Sequence, residues 1–226
     1  MTDAIKITEI KPGSPPDDVV KLHPCMNGEA HLKFGRIHLP VNPVCNIGCR
    51  FCGRGIKKDQ VPGASGRILM PQEDILTRAL ELCPEITVAG VAGPGDALAS
   101  PHAVDTFRLI GKAHPKILKC LSTNGLSLPG SIAALREVGI NSLTVTIKSL
   151  APETLTEING FVIVNGKAVV GLEAAKILID AQLAGLKAAA KELHAIIKIN
   201  TIWSEDFQLT IAPMIHIMVS QKILII

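Results

Sequence analysis

Cys45-Asn46-Ile47-Gly48-Cys49-Arg50-Phe51-Cys52 places three thiols within eight residues, and the reading of this stretch decides the reading of the chain. The C-x3-C-x2-C spacing lets three sulfurs converge on one side of a loop, one ligand short of a closed tetrahedral zinc site. A cubane iron–sulfur cluster on three cysteines would keep one iron open to a small-molecule ligand; a structural zinc would need a fourth protein ligand. The x3 spacing, the preceding strand and the lack of a second CxxC pair nearby favour the cluster, with zinc as the alternative.

Outward from the loop, the chain alternates strand and helix signals. Arg36 to Val41 alternates apolar and polar side chains and predicts a first strand that runs into the cysteines. Gly53, Gly55, Pro62, Gly63 and Gly66 then mark an extended connection, and a helix is expected from Pro71 with Ile75, Leu76, Ala79, Leu80 and Cys83 on its core face. Further strands are expected at 86–91, 116–121, 141–147 and 196–202. Between them fall a helix capped by Ser100 and Pro101, another over 131–138 that stops at a left-handed Gly139, and a long one carrying Leu172 to Leu193. Asn159-Gly160 and Asn165-Gly166 bracket Phe161 to Val164 as two turns of a hairpin-like excursion.

This alternation predicts an α/β fold of parallel βα units, whose ligand sites collect at the C-terminal ends of the strands. The cysteine loop, Gly93-Pro94-Gly95-Asp96 and Ser122-Thr123-Asn124-Gly125 all fall at such ends. Glycines there permit a close backbone approach, and Asp96 could accept hydrogen bonds from an ammonium group.

Composition narrows the function classes. At 226 residues, 47% hydrophobic and 19% charged, the chain suits one sizeable domain, and it contains no run of eighteen uninterrupted apolar residues. Met1 to Lys6 lacks an apolar signal core, so a cytoplasmic location without membrane association is expected. A net charge of +3, with 3% aromatics and no tyrosine, argues against a nucleic-acid partner. Six cysteines occur, at 25, 45, 49, 52, 83 and 120, and the four crowded into 25–52 favour metal over disulfides. We expect three regions: a leader over 1–36, a barrel over 37–202 and an apolar tail over 203–226.

The cysteine loop, with Phe51 just before the third thiol, resembles the signature of the radical S-adenosylmethionine (SAM) superfamily. Such enzymes hold a 4Fe-4S cluster on three cysteines, bind SAM at the open iron and cleave it reductively to a 5'-deoxyadenosyl radical. The fold implied is a partial (βα)6 TIM-like barrel, here expected to be incomplete at its C-terminal end. Within the superfamily the chain is most similar to the NifB family of nitrogenase cofactor assembly. The words that carry this include His23-Pro24-Cys25, Glu29-Ala30-His31, Gly35 to Val41, Val91 to Asp96, Leu121 to Leu126 and Lys198-Ile199-Asn200.

By that resemblance Cys45, Cys49 and Cys52 hold the SAM cluster, while Gly93, Pro94, Gly95, Asp96, Asn124, Thr146 and Phe51 meet SAM. Cys25 and Cys120 become candidate ligands of substrate clusters and His23 and His31 weaker ones, whereas the amphipathic helix pattern makes Cys83 a core residue. The implied reaction fuses two 4Fe-4S clusters with a sulfur and a SAM-derived carbide into an 8Fe-9S-C precursor. Implied partners are an iron–sulfur cluster donor, an electron donor such as ferredoxin or flavodoxin, and a downstream nitrogenase cofactor scaffold. The alternatives are a radical SAM enzyme with an organic or peptide substrate, and a non-catalytic iron–sulfur or zinc module. Lys57 to Gly63 departs from the family's pattern after the third cysteine, and the family's C-terminal cysteine pair has no counterpart after Ile202.

Overall fold

The computed structural model describes residues 17–42, 44–52, 73–201 and 224–225. Helices α1 (Asp17–Leu22) and α2 (Gly28–Lys33) precede strand β1 (Gly35–His38) and the short β2 (Ile47–Cys49). The chain continues as α3 (Glu73–Leu82), β3 (Ile86–Val91), α4 (His102–Ala113), β4 (Leu118–Thr123), α5 (Leu128–Glu137) and β5 (Ser142–Thr146). It closes with α6 (Pro152–Ile158), β6 (Asn159–Val164), β7 (Lys167–Val169), α7 (Gly171–Glu192), β8 (Ile196–Asn200) and β9 (Leu224–Ile225).

Six strands form one parallel sheet in the order β1-β3-β4-β5-β8-β9. This is the expected α/β partial barrel, with β1 and β9 as its edges, and among the described residues it does not close. Its outer face carries Ala89, Val91, Leu121, Leu143, Val145, Ile197 and Ile199, buried against Phe107 and Ile110 of α4, Leu135 of α5 and Leu186 of α7. Burying each Val, Leu, Ile or Phe side chain here stabilises the fold by about 1.5–3 kcal/mol. Lys119 shares this face, 9% exposed, with its ammonium beside Gly111 of α4, and burial pushes its pKa below the ordinary value.

A second sheet, β2-β6-β7, is antiparallel and packs Ile47 and Val162 with Leu155 of α6 and Leu178 of α7. It incorporates the cysteine loop itself, because β2 runs from Ile47 to Cys49.

Several expectations need correction. Asn159-Gly160 is not a turn: it opens β6, where Asn159 lies opposite Cys49. Asn165-Gly166 alone makes the turn, with φ of 50° and 75°. The stretch after Lys148, where only a hairpin-like excursion is expected, also holds a helix, α6, with Pro152 in its first turn. Ser100 does not cap α4; its hydroxyl donates to Asn42 Oδ1 at 3.0 Å. Leu172 is exposed at the start of α7, and Cys83 is exposed because it lies beyond the last turn of α3, so it is no core residue. Gly139 does stop α5 at φ +63°. Pro71, the connection over 53–72 and most of the apolar tail lie outside the described residues.

Candidate active site

The two loops at the ends of β1 and β3 lie against each other. Gly95 N donates to Asn42 O at 2.8 Å, and Asp96 N to Val44 O at 2.9 Å. A Cβ on Gly95 would lie 1.9 Å from Val44 O and 2.4 Å from its carbonyl carbon, so only glycine permits this contact. The glycine of the Gly93-Pro94-Gly95-Asp96 loop therefore admits the backbone leading to Cys45.

Asp96 organises the same rim from inside. Its Oδ1 accepts from Leu98 N at 2.9 Å and Thr123 Oγ1 at 2.9 Å, and its Oδ2 from Asn124 N at 2.5 Å and Thr123 Oγ1 at 3.0 Å. Asn42 Nδ2 donates to the Asp96 carbonyl. Burial pushes the Asp96 carboxyl above its ordinary pKa, and these donors pull against that rise. Its oxygens are engaged in ordering the loops after β3 and β4; Asn124 faces the cysteines directly.

Asn124 Nδ2 donates to Asn46 Oδ1 at 2.7 Å and lies 3.8 Å from Cys45 Sγ. Asn46 in turn donates to Ser127 Oγ at 2.8 Å. Below them Gln182 of α7 donates to the carbonyls of Asn124, at 2.7 Å, and Thr146, at 3.1 Å, tying the ends of β4 and β5 together. Lys148, two residues past β5, puts Nζ 2.9 Å from Cys49 Sγ and 2.8 Å from Asn159 Oδ1. The same ammonium stands 5.6 Å from the centroid of the exposed Phe51 ring.

Cys45 and Cys49 are half-buried and Cys52 is exposed; the Cys52 N–H donates to Cys49 O at 3.1 Å, closing a turn. Burial pushes the Cys45 thiol pKa up. Among the described residues no three His, Cys, Asp or Glu side chains converge as a metal-ion site. The donors nonetheless suit an iron–sulfur cluster: soft thiols, an amide and an ammonium beside the sulfurs, and no carboxylate bonded to them.

The other candidates separate. His31 is exposed on α2. His23 is fully buried, with Nδ1 accepting from Cys25 N at 3.2 Å. Cys25 Sγ accepts from Arg36 Nη1 at 3.3 Å, and Cys120 is buried in β4 on the face turned from the helices.

Sequence reasoning missed Lys148, Gln182, Asn46 and Arg36. Lys148 carried a signal, a lysine immediately after an expected strand and hence on the rim. So did the alternation in Ser142 to Thr146 and Ile196 to Asn200, since parallel strands buried on both faces are usually continuously apolar. Gln182 gave none, being one polar residue within a long amphipathic pattern.

Residues 39–198 match the Radical SAM superfamily. This chain belongs to the radical SAM superfamily. Membership implies a 4Fe-4S cluster and SAM, and the matched span runs from the end of β1 into β8, taking in the cysteine loop and every rim residue described above. Among relatives, the chain is similar to the FeMo cofactor biosynthesis protein NifB of Methanocaldococcus infernus, 42% identical over 189 residues, which are 81% of this chain and 62% of that protein. NifB of Methanocaldococcus jannaschii is also 42% identical, over 81% of this chain and 63% of its own length. NifB of Klebsiella pneumoniae is 36% identical, over 82% of this radical SAM chain and 40% of its own length. The chain therefore spans about three-fifths of its archaeal relatives.

Proposed function

We propose that this chain is a radical SAM enzyme of nitrogenase cofactor assembly, joining two 4Fe-4S substrate clusters with a sulfur and a SAM-derived carbide into an 8Fe-9S-C product. The observation that carries the reading is the convergence of Asn124 and Lys148 on Cys45 and Cys49, in a chain 42% identical to archaeal NifB.

In this reading Cys45, Cys49 and Cys52 hold the resident cluster. When bound, that cluster supplies the electron that cleaves the SAM sulfonium. Gly93, Pro94, Asn124, Thr146 and Phe51 border the space that SAM would occupy, while Gly95 and Asp96 keep the two loops in register. Lys148 compensates thiolate charge and orients the loop through Asn159. Cys25 and Cys120 ligate substrate clusters, with His23 as an auxiliary ligand. Residues 1–36 act as a leader that carries candidate cluster ligands, 37–202 as the catalytic barrel and 203–226 as a tail. The chemistry calls for a cluster donor, a ferredoxin or flavodoxin as reductant, and a scaffold that accepts the product; a cytoplasmic setting suits all three. No helix among the described residues is long and apolar enough to cross a membrane.

The test is anaerobic reconstitution with iron and sulfide, followed by SAM and dithionite. Release of 5'-deoxyadenosine with about twelve irons per chain supports three cubanes, and about four irons would sink the three-cluster version. Cys25→Ala should abolish the fused product but leave SAM cleavage intact.

A further inference from the structure

The barrel's inner face carries positive charge that the described residues do not neutralise. One register row crosses this face as His38, Gly90, Cys120, Ser142 and Ile196, and another pairs Thr144 with Lys198. Arg36 lies across Gly90, where an added Cβ would come within 2.7 Å of its Nε. That Nε is buried and has no acceptor among the described residues, although Nη1 reaches Cys25. Lys198 is 7% exposed, and among the described residues its ammonium has neither an ion-pair nor a hydrogen-bond partner.

The neighbours respond to both cations. His23 has its pKa lowered to about 4, first by burial and then by Arg36 and Lys198, and its buried Nε2 meets no partner among the described residues. Burial raises the Cys120 thiol, while Arg36, Ser142 and Lys198 pull it down. Ser142 Oγ is buried beside it and forms no hydrogen bond that meets normal geometry. Among the described residues no carboxylate acts on His23 or Cys120.

Among the described residues the buried Lys198 ammonium has no partner and the buried Nε of Arg36 has none beyond what Nη1 finds at Cys25, so both cations lose hydration without a counter-charge, an arrangement that an incoming anion relieves. The soft thiols of Cys25 and Cys120, near the same cations, select a metal-bearing anion over a plain oxyanion. We propose that Arg36 and Lys198 are positioning residues, which neutralise the charge of the anionic iron–sulfur substrate in the barrel interior. This rests on the proposed function and adds two residues to it. A cluster on thiolates is anionic, and fusing two such clusters brings like charges together; Arg36 and Lys198 sit where that repulsion would be offset.

The test has two arms. In cluster-free protein, sodium sulfate is compared with sodium chloride at equal ionic strength by thermal unfolding. Wild type and Lys198→Arg should gain several degrees more from sulfate than Lys198→Met and Arg36→Met do. In the second arm the same variants are reconstituted anaerobically and iron is counted. The two methionine variants should lose about four or eight irons per chain and keep the four held at Cys45, Cys49 and Cys52, whose retention shows that the barrel has folded. Equal sulfate responses in wild type and both methionine variants, or equal iron counts above four, would overturn the assignment. If wild type takes up only about four irons, the three-cluster function fails; a sulfate response lost in Lys198→Met and kept in Lys198→Arg would still support the charged interior as an anion site.

Discussion

Lys148 and Cys49, 99 positions apart in sequence, meet with Nζ 2.9 Å from Sγ. A buried ammonium on a cysteine sulfur stabilises the thiolate and whatever electron-rich species the thiolate joins. Lys148→Met should therefore lower the reduction potential of the reconstituted cluster by roughly 60 mV, about 1.4 kcal/mol for a one-electron couple, with Lys148→Arg intermediate. An EPR-monitored redox titration reads this directly. An unchanged potential in the methionine variant would show that the ammonium leaves the sulfur once the cluster is present.

Gly95 tolerates no side chain. The nearest atoms to an added Cβ are the Val44 carbonyl oxygen at 1.9 Å, its carbon at 2.4 Å and its nitrogen at 2.9 Å, all backbone. Gly95→Ala must part the two loops, and we expect a loss of about 3 kcal/mol or more in urea unfolding, with weaker SAM binding. Gly130→Ala, at a helical position where a Cβ meets nothing within 4 Å, serves as the control and should be neutral or slightly stabilising.

Gln182 gives a subtler effect. Its single Nε2 group bonds the carbonyls of both Asn124 and Thr146. Gln182→Met keeps the volume and leaves both acceptors without this donor, which should cost about 2 kcal/mol of stability. Calorimetric titration with SAM should also show weaker binding, because the loop carrying Asn124 loses its support.

Lys119 supplies the pH dependence. Its pKa in the fold lies below the ordinary 10.5 because of burial, so between the two values the unfolded chain binds more protons than the folded one. Stability therefore rises with pH as the solution passes through that window. Lys119→Met should raise the urea midpoint at pH 7 and flatten the alkaline rise, so the gain over wild type shrinks by pH 10. A gain equal at both pH values would place the benefit in apolar packing alone.

The alternation of strands and helices and the three rim loops were legible because they rest on local signals. Ile86 to Val91 forms a strand with the expected bounds, since an apolar run bounded by turn residues has few alternatives. The β4 strand slides two residues later than expected: Thr123 stays in the ladder opposite Val145, and its hydroxyl bonds Asp96, a residue that no local pattern connects to it. Asn159 has the composition of a turn, but pairing with the cysteine loop and the bond from Lys148 hold it in a strand. Sequence marks where the rim loops fall, whereas Lys148, Gln182 and Arg36 gain their meaning only from what folding brings beside them.

The β6–β7 hairpin has unequal ends. Its root, Asn159, lies opposite Cys49, whereas its tip, Asn165-Gly166, is a turn whose glycine has open space around it. Protein engineering can exploit that polarity. A peptide tag or fluorophore-labelling loop spliced between Asn165 and Gly166 would sit on a tether that leaves the cysteine loop undisturbed. One added residue near Asn159 would shift the register under Cys49 and pull Lys148 away from the sulfur, making the hairpin a mechanical handle on the metal-binding loop.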